Sequence, residues 1–194
     1  MPSSDPCNIG RLLQMVRDLS PLNILDVGIG CGKFGMLFRE YLDGHWVGRA
    51  FHSPETWRIR MIGLEIFPSY ITPVHQYLYD DIIIMDAYKY FTDPGKDKFD
   101  LIFMGDIIEH WEKEDGFTIL RYIQQDWLTR GGAVIISTPN FRTRINDERI
   151  GEKVFGNKHE VHRCQWTAKD FEGLEGFEIS IHANRMLAVQ LIKE

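Results

Sequence analysis

The stretch Asp26-Val27-Gly28-Ile29-Gly30-Cys31-Gly32 stands where a strand ends and a helix begins. The apolar run Asn23–Val27 predicts a buried strand, and residues 33–42 predict a helix. Glycine in such a turn lets the backbone bend tightly and approach a ligand closely. The helix start beyond it offers free N–H groups and the positive end of the helix dipole. The stretch therefore predicts a strand–loop–helix unit that binds a cofactor with anionic or carboxylate groups.

The glycines of this loop also permit a second interpretation. Residues 30–35, Gly-Cys-Gly-Lys-Phe-Gly, fit the G-x-G-x-x-G fingerprint of dinucleotide-binding oxidoreductases. However, Asp26 closes the strand two residues before Gly28, the first glycine of the loop. A carboxylate there suits a ligand with an ammonium group and repels a pyrophosphate. The loop thus favours a cofactor with an ammonium group, and an NAD-dependent oxidoreductase is the alternative.

The rest of the chain alternates short apolar runs with amphipathic runs. This alternation predicts βα units around a mostly parallel sheet. Two alternating runs close the chain, at 177–182 and 186–192, and predict a hairpin turning at Ala183-Asn184-Arg185. Further strands are predicted at 60–66, 81–85, 99–104 and 133–137. Helices are predicted at Ile9–Leu19, 68–77 and 112–128, and Gly131-Gly132 is predicted to end the last of them. A long polar connection is predicted at 138–166.

Composition limits the class of protein. The length of 194 residues and the 44% of hydrophobic residues predict a single domain, 1–194, with a substantial core. A net charge of -6 argues against nucleic-acid binding by bulk electrostatics. The chain shows no signal peptide, no apolar run long enough for a membrane span, and three widely spaced cysteines. We therefore expect a cytoplasmic protein without disulfides and without a membrane partner.

Two acidic residues stand at the ends of later strands. Glu65 ends the second predicted strand, where a carboxylate can accept both ribose hydroxyls of an adenosine. Asp86 follows the third strand, where it can accept from an adenine amino group while the N–H of Ala87 donates to a ring nitrogen. Each residue can instead be a helix N-cap. Their register with the glycine loop favours a nucleoside-containing cofactor.

The order of these motifs resembles that of class I S-adenosylmethionine (SAM)-dependent methyltransferases over nearly the whole chain. The resemblance implies a Rossmann-like three-layer α/β sandwich, with a seven-stranded, mostly parallel sheet and an antiparallel strand from the C-terminal hairpin. It implies methyl transfer from SAM to an oxygen or nitrogen of a small-molecule acceptor. The segment 44–57 is longer than this family's usual connection, and its role is open. The implied cofactor contacts are Asp26, Gly28, Gly30, Gly32, Glu65, Ile66, Asp86, Ala87 and Asp106.

An acidic and histidine cluster follows the fourth strand. Asp106, Glu109 and His110 lie within one helical turn, and ligands of open parallel sheets bind at the carboxyl ends of strands. Two carboxylates and an imidazole at this spacing suit a general base or a divalent metal. Glu109 and His110 are therefore the candidate catalytic residues. A second pair, His159 and His162, lies in the polar connection. Histidines are also common in surface loops without any function, which is the alternative explanation for this pair.

The pattern D-x-x-E-H, then P-N, then H-x-x-H-x-x-x-W-T is similar to that of small-RNA 3′-terminal 2′-O-methyltransferases. This resemblance implies a divalent metal that binds the terminal ribose hydroxyls. Asp106 stands for a glutamate of that family, and Val161 and Cys164 depart from its second motif. RNA is thus the alternative acceptor, and a non-catalytic SAM-binding protein is a further alternative. The implied metal ligands are Asp106, Glu109, His110 and one of His159 or His162, with His162 favoured.

Overall fold

The computed structural model describes residues 5–44, 54–93, 97–141 and 148–194. Within them seven strands form one sheet: β1 (Asn23–Val27), β2 (Arg60–Glu65), β3 (Asp81–Ile84), β4 (Phe99–Gly105), β5 (Leu128–Pro139), β6 (Phe177–Ala183) and β7 (Met186–Lys193). Their order across the sheet is β3-β2-β1-β4-β5-β7-β6. Only the β5–β7 and β6–β7 pairs are antiparallel. The predicted seven-stranded, mostly parallel sheet with one antiparallel hairpin strand is confirmed.

Helices cover both faces of the sheet, which gives the predicted three-layer sandwich. Neighbouring residues of β1 point to opposite faces, so Ile24 packs in one core cluster with α1, and Leu25 packs in the other with α5. Helices α2 and α5 each continue into a π-helical turn, at Arg39–Gly44 and Ile123–Trp127. The α-helices are α1 (Ile9–Leu19), α2 (Lys33–Phe38), α3 (Pro73–Leu78), α4 (Ala87–Thr92), α5 (Lys113–Tyr122), α6 (Glu148–Phe155) and α7 (Ala168–Phe171).

Two predicted helices differ from the structure. The predicted helix 68–77 is a 3-10 turn, Pro68–Tyr70, followed by α3. Pro73 excludes the helical conformation at the residue before it, and Thr72 is extended, at φ -130° and ψ 170°. The prediction that Gly131-Gly132 ends a helix is wrong. Both glycines lie inside β5, where a Cβ at Gly132 would lie 2.9 Å from the carbonyl oxygen of Phe99 on the neighbouring strand.

Two further elements were not predicted. Helix α4 lies between β3 and β4, and α6 lies within the long polar connection after β5. Most of the segment 44–57 and two arginines of that connection, Arg142 and Arg144, lie outside the described residues. Among the helices that the structure describes, none is long and apolar enough to cross a membrane.

Candidate cofactor and catalytic site

A cleft of about 370 Å³ lies at the carboxyl ends of β1, β2, β3 and β4. The sheet order reverses between β1 and β4, and such a switch point is where open α/β sheets bind their ligands. Five predicted cofactor residues and one predicted catalytic residue line this cleft, namely Gly28, Glu65, Ile66, Asp86, Ala87 and His110. The lining also includes Val27, Leu64, Met85, Tyr88, Ile107, Trp111, Glu112, Asp115, His159 and Arg163.

The three loop glycines adopt left-handed backbone conformations. The φ angles of Gly28, Gly30 and Gly32 are 72°, 52° and 78°. Side chains rarely tolerate this region, so the backbone itself requires glycine here. Gly28 also lies against the side chain of Ile107, which would contact a Cβ at this position. The loop therefore turns tightly beside the cleft and presents backbone atoms there.

Glu65 joins the end of β2 to the glycine loop. Its Oε2 accepts a hydrogen bond from the Gly30 N–H at 3.1 Å, and its Oε1 accepts one from the Phe67 N–H at 2.9 Å. Burial raises the pKa of this carboxyl, while both backbone donors act to lower it. Each carboxylate oxygen has a second lone pair, so Glu65 can still accept from hydroxyls in the cleft.

Asp86 is both a helix cap and a cleft residue. Its Oδ1 accepts from the Lys89 N–H at 3.1 Å and so caps α4. The same residue lines the cleft with Ala87, whose N–H belongs to the first turn of α4. N–H groups of a first turn have no partner within their helix. The cap and the ligand contact proposed from the sequence are thus compatible.

Asp26 lies behind the loop rather than among the residues that line the cleft. It is buried, and its Oδ2 accepts from the Tyr79 hydroxyl at 2.6 Å. Burial raises the pKa of Asp26 to about 7, against the effect of the Tyr79 hydrogen bond, and the nearby charge of Glu65 adds to the rise. Gly30 and Gly32 are likewise not lining residues. Direct contact of these three residues with a cofactor stays a prediction.

Glu109 is the buried acid of the second cluster. It lies in the 3-10 turn Ile108–His110 after β4, and its Oε2 accepts from the Thr138 hydroxyl at 2.9 Å. Burial, followed by the charge of Asp106, raises the pKa of Glu109 to about 8. One ligand atom from each of Glu109, His110 and His162 lies within 4.8 Å of the other two. These three predicted residues therefore converge.

The surroundings of the two histidines of this group favour the neutral form of each imidazole. His110 Nδ1 lies 2.9 Å from the carbonyl oxygen of Val161, and since a carbonyl only accepts, Nδ1 carries the hydrogen and Nε2 a lone pair. The ring of His162 meets it edge-on, with centroids 4.9 Å apart. Burial lowers the pKa of His110, and burial with the neighbouring His110 lowers that of His162 to about 4.

The connection after β5 is anchored beside His110, and this places His162. The Arg163 N–H donates to the Glu109 carbonyl at 2.8 Å, and the Trp166 indole N–H donates to the Ile108 carbonyl at 3.1 Å. Trp166 is fully buried, and Gly116 leaves it room, since a Cβ there would lie 2.6 Å from the indole ring. The tryptophan of the W-T motif therefore holds the histidine motif over the cleft.

Asp106 does not join the three converging residues. Its Oδ1 accepts from the Ser137 hydroxyl at 2.8 Å, and its N–H donates to the Ser137 carbonyl at 2.9 Å. Its φ of 56° lies in the left-handed region, where aspartate is one of the few tolerated side chains. The sequence predicted four metal ligands, and three of them converge in the structure. The fourth, Asp106, is hydrogen-bonded to Ser137 of β5 instead.

Several residues of the site were not predicted from the sequence. The Tyr70 hydroxyl donates to Glu160 Oε1 at 2.7 Å and joins the turn after β2 to the connection after β5. Two side chains of the α3 segment, His75 and Tyr79, contact the glycine loop and Asp26. The available signal for His75 was its place three residues after Thr72, as in a capping box, which the structure shows.

Solved structures share this fold. No protein-family model matches the chain, and no curated protein is significantly similar to it in sequence. A SAM-dependent methyltransferase from Archaeoglobus fulgidus is 17% identical, with a TM-score of 0.64, over 95% of this chain and 92% of that one. The fold is that of class I SAM-dependent methyltransferases.

Two further solved structures give the range of that fold. Human N-acetylserotonin methyltransferase, in complex with SAM, is 17% identical, with a TM-score of 0.61, over 96% of this chain and 52% of that one. The methyltransferase domain of a bacterial protein, CtHen1-CN, is 13% identical, with a TM-score of 0.59, over 94% of this chain and 96% of that one.

Proposed function

We propose that this chain is a SAM-dependent methyltransferase that transfers a methyl group to an oxygen or nitrogen of a small-molecule acceptor. The observation that carries the proposal is the cleft at the switch point, where the glycine loop, Glu65 and Asp86 meet in a methyltransferase fold. Its volume of about 370 Å³ is that of a cofactor-sized site.

The residues of the cleft fit the adenosine half of SAM. Glu65 lines the cleft and can accept from the ribose hydroxyls, and Asp86 with the Ala87 N–H can pair with the edge of the adenine. The apolar side chains of Met85 and Ile107 lie where they can flank the flat ring. This arrangement supplies polar groups that fix orientation within an apolar surround, as cofactor sites do.

The chemistry that SAM supplies is an electrophilic methyl group on a sulfonium. The chain has to align the acceptor with that methyl and remove the acceptor's proton. His110 suits this role because its lowered pKa keeps it unprotonated and the Val161 carbonyl fixes the lone pair on Nε2. Next to His110 in the chain, Glu109 has a raised pKa and accepts a hydrogen bond from the Thr138 hydroxyl.

A binding experiment tests the cofactor. In calorimetry with S-adenosylhomocysteine, Glu65→Gln should weaken binding by more than about tenfold, because it removes charge-assisted acceptors. The matched control Glu178→Gln, at an exposed position on β6, should bind as the wild type does. Equal affinities of the two variants would remove Glu65 from the site.

A transfer assay tests the activity and its acceptor. Methyl-labelled SAM is supplied with a pool of small metabolites or with RNA oligonucleotides, and the label in each pool is counted. We expect label in the metabolite pool, and His110→Asn should strongly reduce it. Cofactor binding without transfer to either pool would favour a non-catalytic SAM-binding protein.

The second candidate function is metal-dependent 2′-O-methylation of RNA, and the convergence of Glu109, His110 and His162 favours it. Two ligands of one ion lie at most about 4.4 Å apart, twice a zinc-type bond, so a small closure of this group would hold an ion. A carboxylate with two imidazoles suits manganese, iron or zinc. This candidate expects label at an RNA 3′ end, loss of that label with a chelator, and its return with manganese.

We also propose that residues 1–194 form one such domain and act in the cytoplasm. The support is the single sheet to which all the described strands belong and the three cysteines, which are free. Free thiols are typical of reducing compartments. Fractionation of the cells that express the chain tests the location.

A further inference from the structure

The face of the glycine loop away from Glu65 is held by a buried histidine. His75 of α3 is 1% exposed, and its Nε2 lies 3.0 Å from the carbonyl oxygen of Gly30. Its Nδ1 lies 3.1 Å from the backbone nitrogen of Thr72, the residue that caps α3. Both ring nitrogens are therefore engaged, one with the loop and one with the start of its own helix.

These two contacts fix one tautomer of the ring. The Thr72 N–H can only donate, so Nδ1 is the acceptor and has no hydrogen. The Gly30 carbonyl can only accept, so Nε2 carries the hydrogen. The neutral Nε2–H tautomer satisfies both contacts at once, and no other form of the ring does.

Gly30 is consequently held on both sides. Its N–H donates to Glu65 at 3.1 Å, and its carbonyl accepts from His75 at 3.0 Å. The ring also packs against the next glycine, since a Cβ at Gly32 would lie 3.4 Å from His75 Nε2. A glycine loop otherwise has many accessible conformations, so these contacts select the one that faces the cleft.

Tyr79 extends this support by one turn of the chain. Its ring stacks with that of His75 at 6.3 Å and 15°, and its hydroxyl donates to Asp26. Gly35 permits this approach, because a Cβ there would lie 2.5 Å from the Tyr79 hydroxyl oxygen. Gly35 is the residue that completes the apparent dinucleotide fingerprint, and packing against Tyr79 explains it.

We propose that His75 is a positioning residue for cofactor binding: it holds the Gly30 peptide in the conformation that places the loop and Glu65 against SAM. The inference rests on the proposed function. It adds a contribution from α3, which supplies no residue that lines the cleft. We expect that loss of the Nε2 hydrogen bond weakens cofactor binding, whereas loss of the Nδ1 contact alone does not.

Two variants of His75 separate these contacts. His75→Gln places an amide N–H near Nε2 and can still donate to the Gly30 carbonyl. His75→Asn places an amide oxygen near Nδ1, so it keeps the contact with Thr72. It loses the hydrogen bond to the Gly30 carbonyl. Both variants remove the ring, so a purely structural role would lower Tm and affinity alike in both.

The readout is the affinity of each variant for S-adenosylhomocysteine in calorimetry, with Tm measured beside it. We expect His75→Asn to bind about tenfold more weakly, the equivalent of one hydrogen bond to a positioned group, and His75→Gln to bind within about threefold of the wild type. Equal losses in both variants, or no loss in either, would overturn the inference. No binding by the wild type would instead overturn the proposed function.

A measurement on the unaltered protein covers the case in which a variant does not fold. Nitrogen-15 NMR of the histidine rings distinguishes the two neutral tautomers. We expect His75 to be in the Nε2–H tautomer with and without S-adenosylhomocysteine. The Nδ1–H tautomer would contradict the inference.

Discussion

Two clusters of ionisable side chains lie at opposite ends of the sheet, and they are built differently. At the amino ends of β2 and β3, the guanidinium of Arg39 donates to Asp43 at 2.8 Å and to Asp80 at 2.9 Å. It also donates to the carbonyl oxygens of Leu78 and Ile59, both at 2.7 Å. Positive and negative groups face each other there, and backbone groups complete their hydrogen bonds.

At the carboxyl end of β4, Glu109, His110 and His162 are not arranged as pairs of positive and negative charges. Burial raises the pKa of Glu109 and lowers those of His110 and His162, so each group favours its neutral form. The Arg39 cluster thus pairs opposite charges, whereas the second cluster holds an acid with a raised pKa beside two histidines with lowered pKa values. Perturbed pKa values in a cleft are a recognised mark of functional sites.

The largest effect should come from the proposed base. His110→Asn keeps an amide donor near the Val161 carbonyl and removes the Nε2 lone pair, so methyl transfer should fall by about 10²- to 10⁴-fold. Affinity for S-adenosylhomocysteine should stay within about threefold. The control is His182→Asn on β6. Transfer that survives in the His110 variant would show that this cluster is not catalytic.

The Arg39 cluster should show the opposite pattern. Arg39→Met leaves Asp43 buried without its partner, and breaking a buried ion pair costs about 3–5 kcal/mol of unfolding free energy. Arg60→Met removes an ion pair whose side chains are 46% and 51% exposed, so it should cost less than about 1 kcal/mol. Urea unfolding measures both. Similar losses in the two variants would remove the distinction between the clusters.

The pH dependence of stability tests Glu109. Its pKa is raised to about 8 in the folded protein, from 4.5, so the folded state holds the proton more tightly than the unfolded state. Its contribution to stability is complete below about 4.5 and is lost as the pH rises towards about 8. The loss amounts to a few kcal/mol, at about 1.4 kcal/mol per pKa unit.

The matching variant is Glu109→Gln, which has no proton to lose. Its unfolding free energy should change less between pH 5 and pH 9 than that of the wild type, and the control Glu178→Gln should follow the wild type. These pH values are chosen on either side of about 8. A Glu109 variant with the wild-type pH profile would contradict the raised pKa.

The smallest effect should come from Tyr70, which joins the turn after β2 to the connection after β5. Tyr70→Phe removes the hydroxyl that donates to Glu160 at 2.7 Å and should cost about 1 kcal/mol of stability. Tyr77→Phe serves as the control, since Tyr77 is 50% exposed. Thermal unfolding compares them, and an equal Tm for both variants would show that the bridge adds no stability.

The fold was accessible from the sequence because its main signals are local. The apolar run of β1 and the alternation of β6 and β7 each identify a strand without reference to the rest of the chain. Helix α4 was missed because its six residues are too few to show a periodic pattern. Gly131-Gly132 was misassigned because Gly132 makes a close contact with the neighbouring strand β4, which sequence alone does not show.

The candidate site divides in the same way. Glu65 and Asp86 were predicted because parallel strands bring their carboxyl ends to one edge of the sheet, so a position at a strand end is sufficient. His75 and Tyr79 were not, because they contact residues 45 and 53 positions away through the packing of α3. Ser137 likewise holds Asp106 only because β4 and β5 are neighbours.

A calorimetric titration of the wild-type protein is the sharpest test of whether the cleft binds SAM. S-adenosylhomocysteine should bind with a Kd in the micromolar range, about -8 kcal/mol at 1 μM, whereas NAD should give no heat of binding at the same concentrations. Folded protein that binds no S-adenosylhomocysteine up to about millimolar ligand, or that binds NAD more tightly, would contradict the account.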